Sequence, residues 1–168
     1  VDQKVIDHKI LYGSWAGAFG NFQFMPRTIE KYAVDYDNNK KIELKSTKDS
    51  FASAANYLNR IGWKKNEPCF VKVNLKKNVP KNLLNTSAKR IHSKKRFEYL
   101  KQYILHVDNF EINNNEIGAI ITPDKDIVPS SDDLSPAYIV FNNYEKILKW
   151  NRSLRFGLAV CTLKRKFN

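Results

Sequence analysis

Apolar residues recur at helical spacing near both ends of the chain and alternate with polar ones in its middle. Pro26 is placed to start a helix running to about Val34. Phe51, Ala54, Ala55, Leu58 and Ile61 form an apolar stripe that predicts a helix over about 48–61, with Thr47 as its N-cap and Gly62 as its stop. From Trp63 the period changes. "CFVKVNL", residues 69–75, alternates as a strand does, and "EIGAIITP" and "PAYIVF" read as further strands around an acidic Pro/Ser/Asp loop. A charged helix is expected over about 93–104. Helical spacing returns in "NNYEKILKW" and in "NRSLRFGLAVCTLKRK", where Leu154, Leu158 and Cys161 share a face and basic residues fill the last turn. The order predicts an α+β protein: a helical segment over 1–63, a small mixed β lobe over 64–136 and helices over 137–168.

Charge changes this picture. The chain has 168 residues, 29 Lys and Arg against 17 Asp and Glu, and a net charge of +12. Residues 64–110 hold 12 basic and 3 acidic side chains, whereas 111–136 hold 1 and 6. A basic middle fits an anionic partner (nucleic acid, acidic lipid or an acidic envelope polymer) or plain solvated lysine. Lys89 to Tyr103 interleave basic and aromatic side chains, yet no nucleic-acid-binding signature accompanies them. No apolar run is long enough to span a membrane. Cys69 and Cys161 match no metal spacing; structural thiols are expected, with a disulfide as the alternative.

Against that background "GSWAGAFGNFQFMP", residues 13–26, carries no charge and holds three of the six glycines. Its Trp and Phe rings suit stacking on sugar faces, and Gln23 suits hydrogen bonding to hydroxyl or acetamido groups. Sugar cleavage also needs a carboxylic acid near an apolar wall, and the loop has none. Downstream, Asp35, Asp37, Asn39, Lys41, Glu43 and Ser46 fall on positions 1, 3, 5, 7, 9 and 12 of a calcium-loop frame. Lys40 stands where that frame needs Gly, and Ser46 where it needs a bidentate carboxylate, so a polar turn is the competing reading. Tyr57 lies at the edge of its helix stripe, equally suited to a core rim or a cleft.

The stretch "GSWAGAFGNFQFMPRTIEKYAVD" resembles the signature of the membrane-bound B-type lytic murein transglycosylases. The likeness continues in "IELKSTKDSFASAANYLNRIGW" and in "AYIVFNNYEKILKWNRSLRFGLAV". It implies a lysozyme-like helical core with an inserted β lobe. It also implies non-hydrolytic cleavage of the MurNAc–GlcNAc bond, in which one Glu acts as acid and then base and the sugar's 6-hydroxyl attacks to leave a 1,6-anhydroMurNAc end. The resemblance makes Ser14, Gln23, Phe24, Met25, Tyr57, Asn151 and Phe156 substrate-wall residues, with Phe156 in place of a frequent Tyr. Asp35–Ser46 corresponds to the family's calcium loop.

The family's catalytic Glu precedes the G-S-W-A-G block on an upstream helix. Here twelve residues precede Gly13 and none is Glu. The expectation is therefore a chain that binds peptidoglycan strands and takes its acid from outside these residues, with a non-catalytic peptidoglycan-binding module as the first alternative and a basic nucleic-acid-binding protein as the second. No nucleic-acid partner is expected. The substrate implies the bacterial periplasm or cell envelope.

Overall fold

Helix α1 (Pro26–Tyr32) begins where proline's fixed φ and missing N–H cost nothing, in the first turn. The computed structural model describes residues 13–108, 111–124, 128, 130 and 132–166. Contacts divide them into two units, broken between Trp63 and Lys64.

In the first unit α1 packs on α2 (Thr47–Arg60). The N-cap of α2 is Ser46, one residue before the expected Thr47, and its side chain accepts from the Asp49 N–H. The buried face also differs from the apolar stripe. Ser50, Ser53, Ala54 and Tyr57 point inward, whereas Phe51 is 60% exposed and Ala55 is exposed. The polar members of this face have partners: Ser53 accepts from the Val34 N–H, and Ser50 donates to the Ser46 carbonyl and accepts from Asn21. A pattern weighted by hydrophobicity misses a face built on hydroxyl bonds to neighbouring loops.

The second unit is built on a sheet of β1 (Phe70–Leu75), β2 (Leu84–Asn85), β3 (Lys95–Arg96), β4 (Ile104–Val107), β5 (Ile117–Ile121) and β6 (Ala137–Val140). The order is β2-β5-β6-β1-β4, with β3 also on β5. β1 pairs antiparallel with β6 and β4, β5 antiparallel with β6, and β2 parallel with β5. The core gathers Val71, Val73, Leu100, Ile120, Ile139 and Phe141. Each such side chain stabilises the fold by about 1.5–3 kcal/mol relative to exposure. The helix expected over 93–104 shortens to α3 (Phe97–Lys101). Lys95 and Arg96 are drawn into pairing with Gly118 and Ile117, and Ile104 pairs with Leu75, so strand partners claim both ends.

Helices α4 (Asn142–Trp150) and α5 (Leu154–Lys166) close the unit. Buried Asn143 joins α4 to the start of the unit, accepting from the Lys64 N–H at 3.0 Å and donating to the Lys64 and Glu67 carbonyls. The buried Tyr144 hydroxyl donates to the Leu154 carbonyl at 2.7 Å, and burial pushes its pKa far up. Cys69 and Cys161 are not free thiols. They form a disulfide, Cα–Cα 5.9 Å, that ties the residue before β1 to the middle of α5. Residues 64–136 and 137–166 thus share one contact unit: β6 lies between β5 and β1, and the disulfide crosses the sequence division.

Candidate functional site

The 13–26 segment folds as two linked turns. Ser14 closes the first: its N–H donates to the Ala18 carbonyl at 2.8 Å, its Oγ accepts from the Ala18 N–H, and its carbonyl accepts from Gly17. Trp15 stands at the tip, fully exposed. Phe19 and Phe24 close the second turn with reciprocal backbone bonds of 2.9 Å. Within it Gly20 passes so near Leu44 that a Cβ would lie 2.6 Å from the Leu44 oxygen. Asn21 completes the stitch, its N–H donating to Leu44 and its amide to Lys45 and Ser50. A glycine is what such a close backbone approach requires.

Gln23 sits at φ 51°, in the left-handed region, and its side-chain amide donates back to the Gly20 carbonyl at 2.9 Å. Holding a non-glycine residue there costs on the order of 1 kcal/mol. The cost is offset by that bond and fixes an exposed amide on the rim of the turn.

The wall residues expected from the sequence separate by burial. Ser14, Gln23 and Met25 are exposed, together with Trp15. Phe24 is buried, so it supports the loop instead of presenting its ring. Its ring meets Tyr57 at 5.9 Å, and Tyr57 meets Tyr32 edge-on at 4.9 Å. Tyr57 is 8% exposed. Burial first, then the neighbouring Tyr32, raises its hydroxyl pKa, so it is a neutral donor across the physiological range. Phe51 stacks edge-on against Phe22 at 5.0 Å, which extends the aromatic surface beyond the loop. The apolar stripe of α2 predicts a core position for Phe51, whereas its pairing with the loop's Phe22 leaves it at the surface.

In the second unit, Asn151 caps the C-terminus of α4 and is exposed; its N–H donates to Ile147 and its carbonyl accepts from Ser153. Phe156 lies in the first turn of α5, 37% exposed.

The acidic turn after α1 has its own geometry. Carboxylate oxygens of Asp35, Asp37 and Asp49 lie within 4.8 Å of one another. Asp49 is 1% exposed and receives the Tyr36 and Glu43 N–H groups at 3.0 and 2.8 Å. Asp35 receives those of Asn39 and Lys40, and the Asn39 side chain that of Lys41. Ser46 is occupied as the α2 cap, and Asp49, three residues on, supplies the carboxylate the calcium frame lacked. Lys40 adopts φ 67°, the conformation for which that frame uses Gly. Lys48 pairs with Asp37 at 3.6 Å. Oxygen donors of this number and kind fit a hard divalent cation.

Among the described residues no helix is long and apolar enough to cross a membrane.

Comparison with known proteins agrees with the sequence motifs. The Transglycosylase SLT domain model matches residues 1–165. Membrane-bound lytic murein transglycosylase B of Escherichia coli is 42% identical over 64 residues, 38% of this chain and 18% of that protein. SltB3 of Pseudomonas aeruginosa, in complex with NAG-NAM-pentapeptide, aligns over 99% of this chain and 42% of its own, with 29% identity and a TM-score of 0.80. Slt35 of Escherichia coli, in complex with calcium, aligns over 92% and 45%, with 26% identity and a TM-score of 0.71. The chain thus spans less than half the length of these relatives. The α+β architecture is that of their structures, and the chain belongs to the SLT-domain lytic transglycosylases of the B type.

Proposed function

We propose that this chain supplies a glycan-binding wall of a peptidoglycan lytic transglycosylase, whose activity belongs to the whole protein. The observation that carries the reading is the 13–26 loop. Its backbone is anchored to Leu44 and Lys45, its Phe24 is buried against Tyr57, and Ser14, Trp15, Gln23 and Met25 are left at the surface. Exposed rings and a fixed amide suit a sugar polymer, whose faces are apolar and whose edges are hydroxyl and acetamido groups.

Cleavage needs a proton donor, and the loop holds no carboxylate. In this reading the acid is not part of the 13–26 loop. The expected product carries 1,6-anhydroMurNAc ends, formed when the sugar's own hydroxyl attacks as the leaving oxygen is protonated. Incubation of the whole protein with purified sacculi, followed by mass spectrometry, tests this. Anhydro ends are expected; hydrolysed reducing ends, or no released muropeptides, would contradict it.

A calcium ion fits the Asp35, Asp37 and Asp49 carboxylates, with the Asn39 side chain and the Lys41 carbonyl completing the set. A bound ion would offset mutual repulsion of the carboxylates and pin the turn to the first turn of α2. The substrate class places the protein in the cell envelope, and a disulfide is at home in that oxidising compartment.

A further inference from the structure

The basic middle of the chain acquires a shape in the 64–166 unit. A groove of about 600 Å³ opens between the 88–94 loop and α4. Lys89, Arg90 and Lys94 line one side, and Lys146, Lys149 and Arg152 the other. Among the described residues Glu145 is its single lining acid, and Lys94 binds it at 2.6 Å. Among the described residues none of the other five cations forms an ion pair. The Glu67 carboxyl, which Lys146 helps to lower, is itself held chiefly by Lys64. The floor is apolar: Ala88, Ile91 and Leu148 are each 7% exposed.

The loop side is held in place. Buried Asn85 accepts from the His92 N–H at 2.7 Å and donates to the His92 carbonyl at 3.1 Å. Ser93, at φ 54°, donates to the Asn82 carbonyl at 2.6 Å. Cations gathered around one acid repel one another, so a fixed groove of this composition is stabilised by an anion.

A peptidoglycan glycan strand carries no charge on its amide-linked sugars. Its carboxylates are on the stem peptides, beside alanine methyl groups. We propose that this groove receives the carboxylate-bearing stem peptide, cations meeting the carboxylates and the floor meeting the methyls. The proposal rests on the glycan reading above and extends it from the sugar to the peptide. Among the described residues no aromatic side chain lines the groove, so they offer none of the stacking surface that single-stranded nucleic acid uses.

The test is a titration of the chain with the free tetrapeptide L-Ala–γ-D-Glu–meso-diaminopimelate–D-Ala, followed by amide chemical shifts. Shifts are expected over 88–94 and 142–152, with saturation at millimolar peptide. Lys146→Glu/Lys149→Glu should weaken the apparent affinity at least tenfold, and Lys146→Gln/Lys149→Gln by a smaller factor, with unchanged amide dispersion in both. Raising the salt should weaken wild-type binding. Absence of groove shifts at millimolar peptide overturns the proposal. So does tight duplex or single-stranded DNA binding that the charge reversal abolishes while the peptide leaves the groove unperturbed. A parallel titration with chitin oligosaccharides, which lack the lactyl carboxylates that stem removal frees, reads the 13–26 loop alone, so loss of one interaction is distinguished from loss of the other.

Discussion

Gly20 is the residue on which the loop's position turns. It lies at φ 77°, and a Cβ there would meet the Leu44 oxygen at 2.6 Å and the Leu44 Cβ at 2.7 Å. The left-handed backbone costs an L-residue about 1–2 kcal/mol and the overlap with a packed neighbour about 1–3 kcal/mol. Gly20→Ala is therefore expected to destabilise the first unit by about 2–5 kcal/mol. It should also release the Asn21 bonds to Leu44 and Lys45, read as faster amide exchange at Asn21. Unchanged stability and exchange would show that the loop is held in another way. The wall residues could be named from the motif, yet their roles could not. Phe24 and Met25 are adjacent in sequence, and only the Phe19–Phe24 pairing decides that one ring turns inward while the thioether stays at the surface.

At the scale of elements, legibility follows locality. The α4 helix was readable because its apolar residues face one core at regular spacing, and its bounds are those expected. The two-residue strands β2 and β3 were not, because their definition lies in partners on β5 more than twenty residues away. The Asp35–Ser46 turn shows a related failure. A template that ends at position 12 stops at Ser46, whereas the deepest carboxylate comes from Asp49 in the first turn of α2. Three carboxylates this close repel in the absence of a cation, and a bound ion reverses that. Calcium should raise the melting temperature of the chain, and Asp49→Asn should remove that increment whatever its own effect on stability. A calcium increment that persists in Asp49→Asn would move the ion elsewhere.

For the molecule as a whole, the two contact units differ in what secures them. The 13–63 unit depends on side-chain bonds to loop backbone, among them the Asn21, Ser53 and Asp49 contacts. The 64–166 unit has an apolar sheet core and a disulfide. Cys69 and Cys161 are 92 residues apart, and nothing in their spacing foretold the bond. Closing a loop of that length removes unfolded-state entropy worth about 4–5 kcal/mol. Reduction, or Cys161→Ser, should lower the melting temperature of this unit by on the order of 15 °C. An unchanged transition under reductant would deny the bond a stabilising role.

The central claim is that the Ser14–Met25 loop contacts glycan. The most direct measurement is an amide chemical-shift titration of the chain with stem-free peptidoglycan glycan strands. Shifts centred on 13–25 that saturate with added glycan, and that weaken at least fivefold in Gln23→Ala, are the predicted result. A loop whose amides do not move at millimolar disaccharide units, or that respond identically in Gln23→Ala, would contradict it.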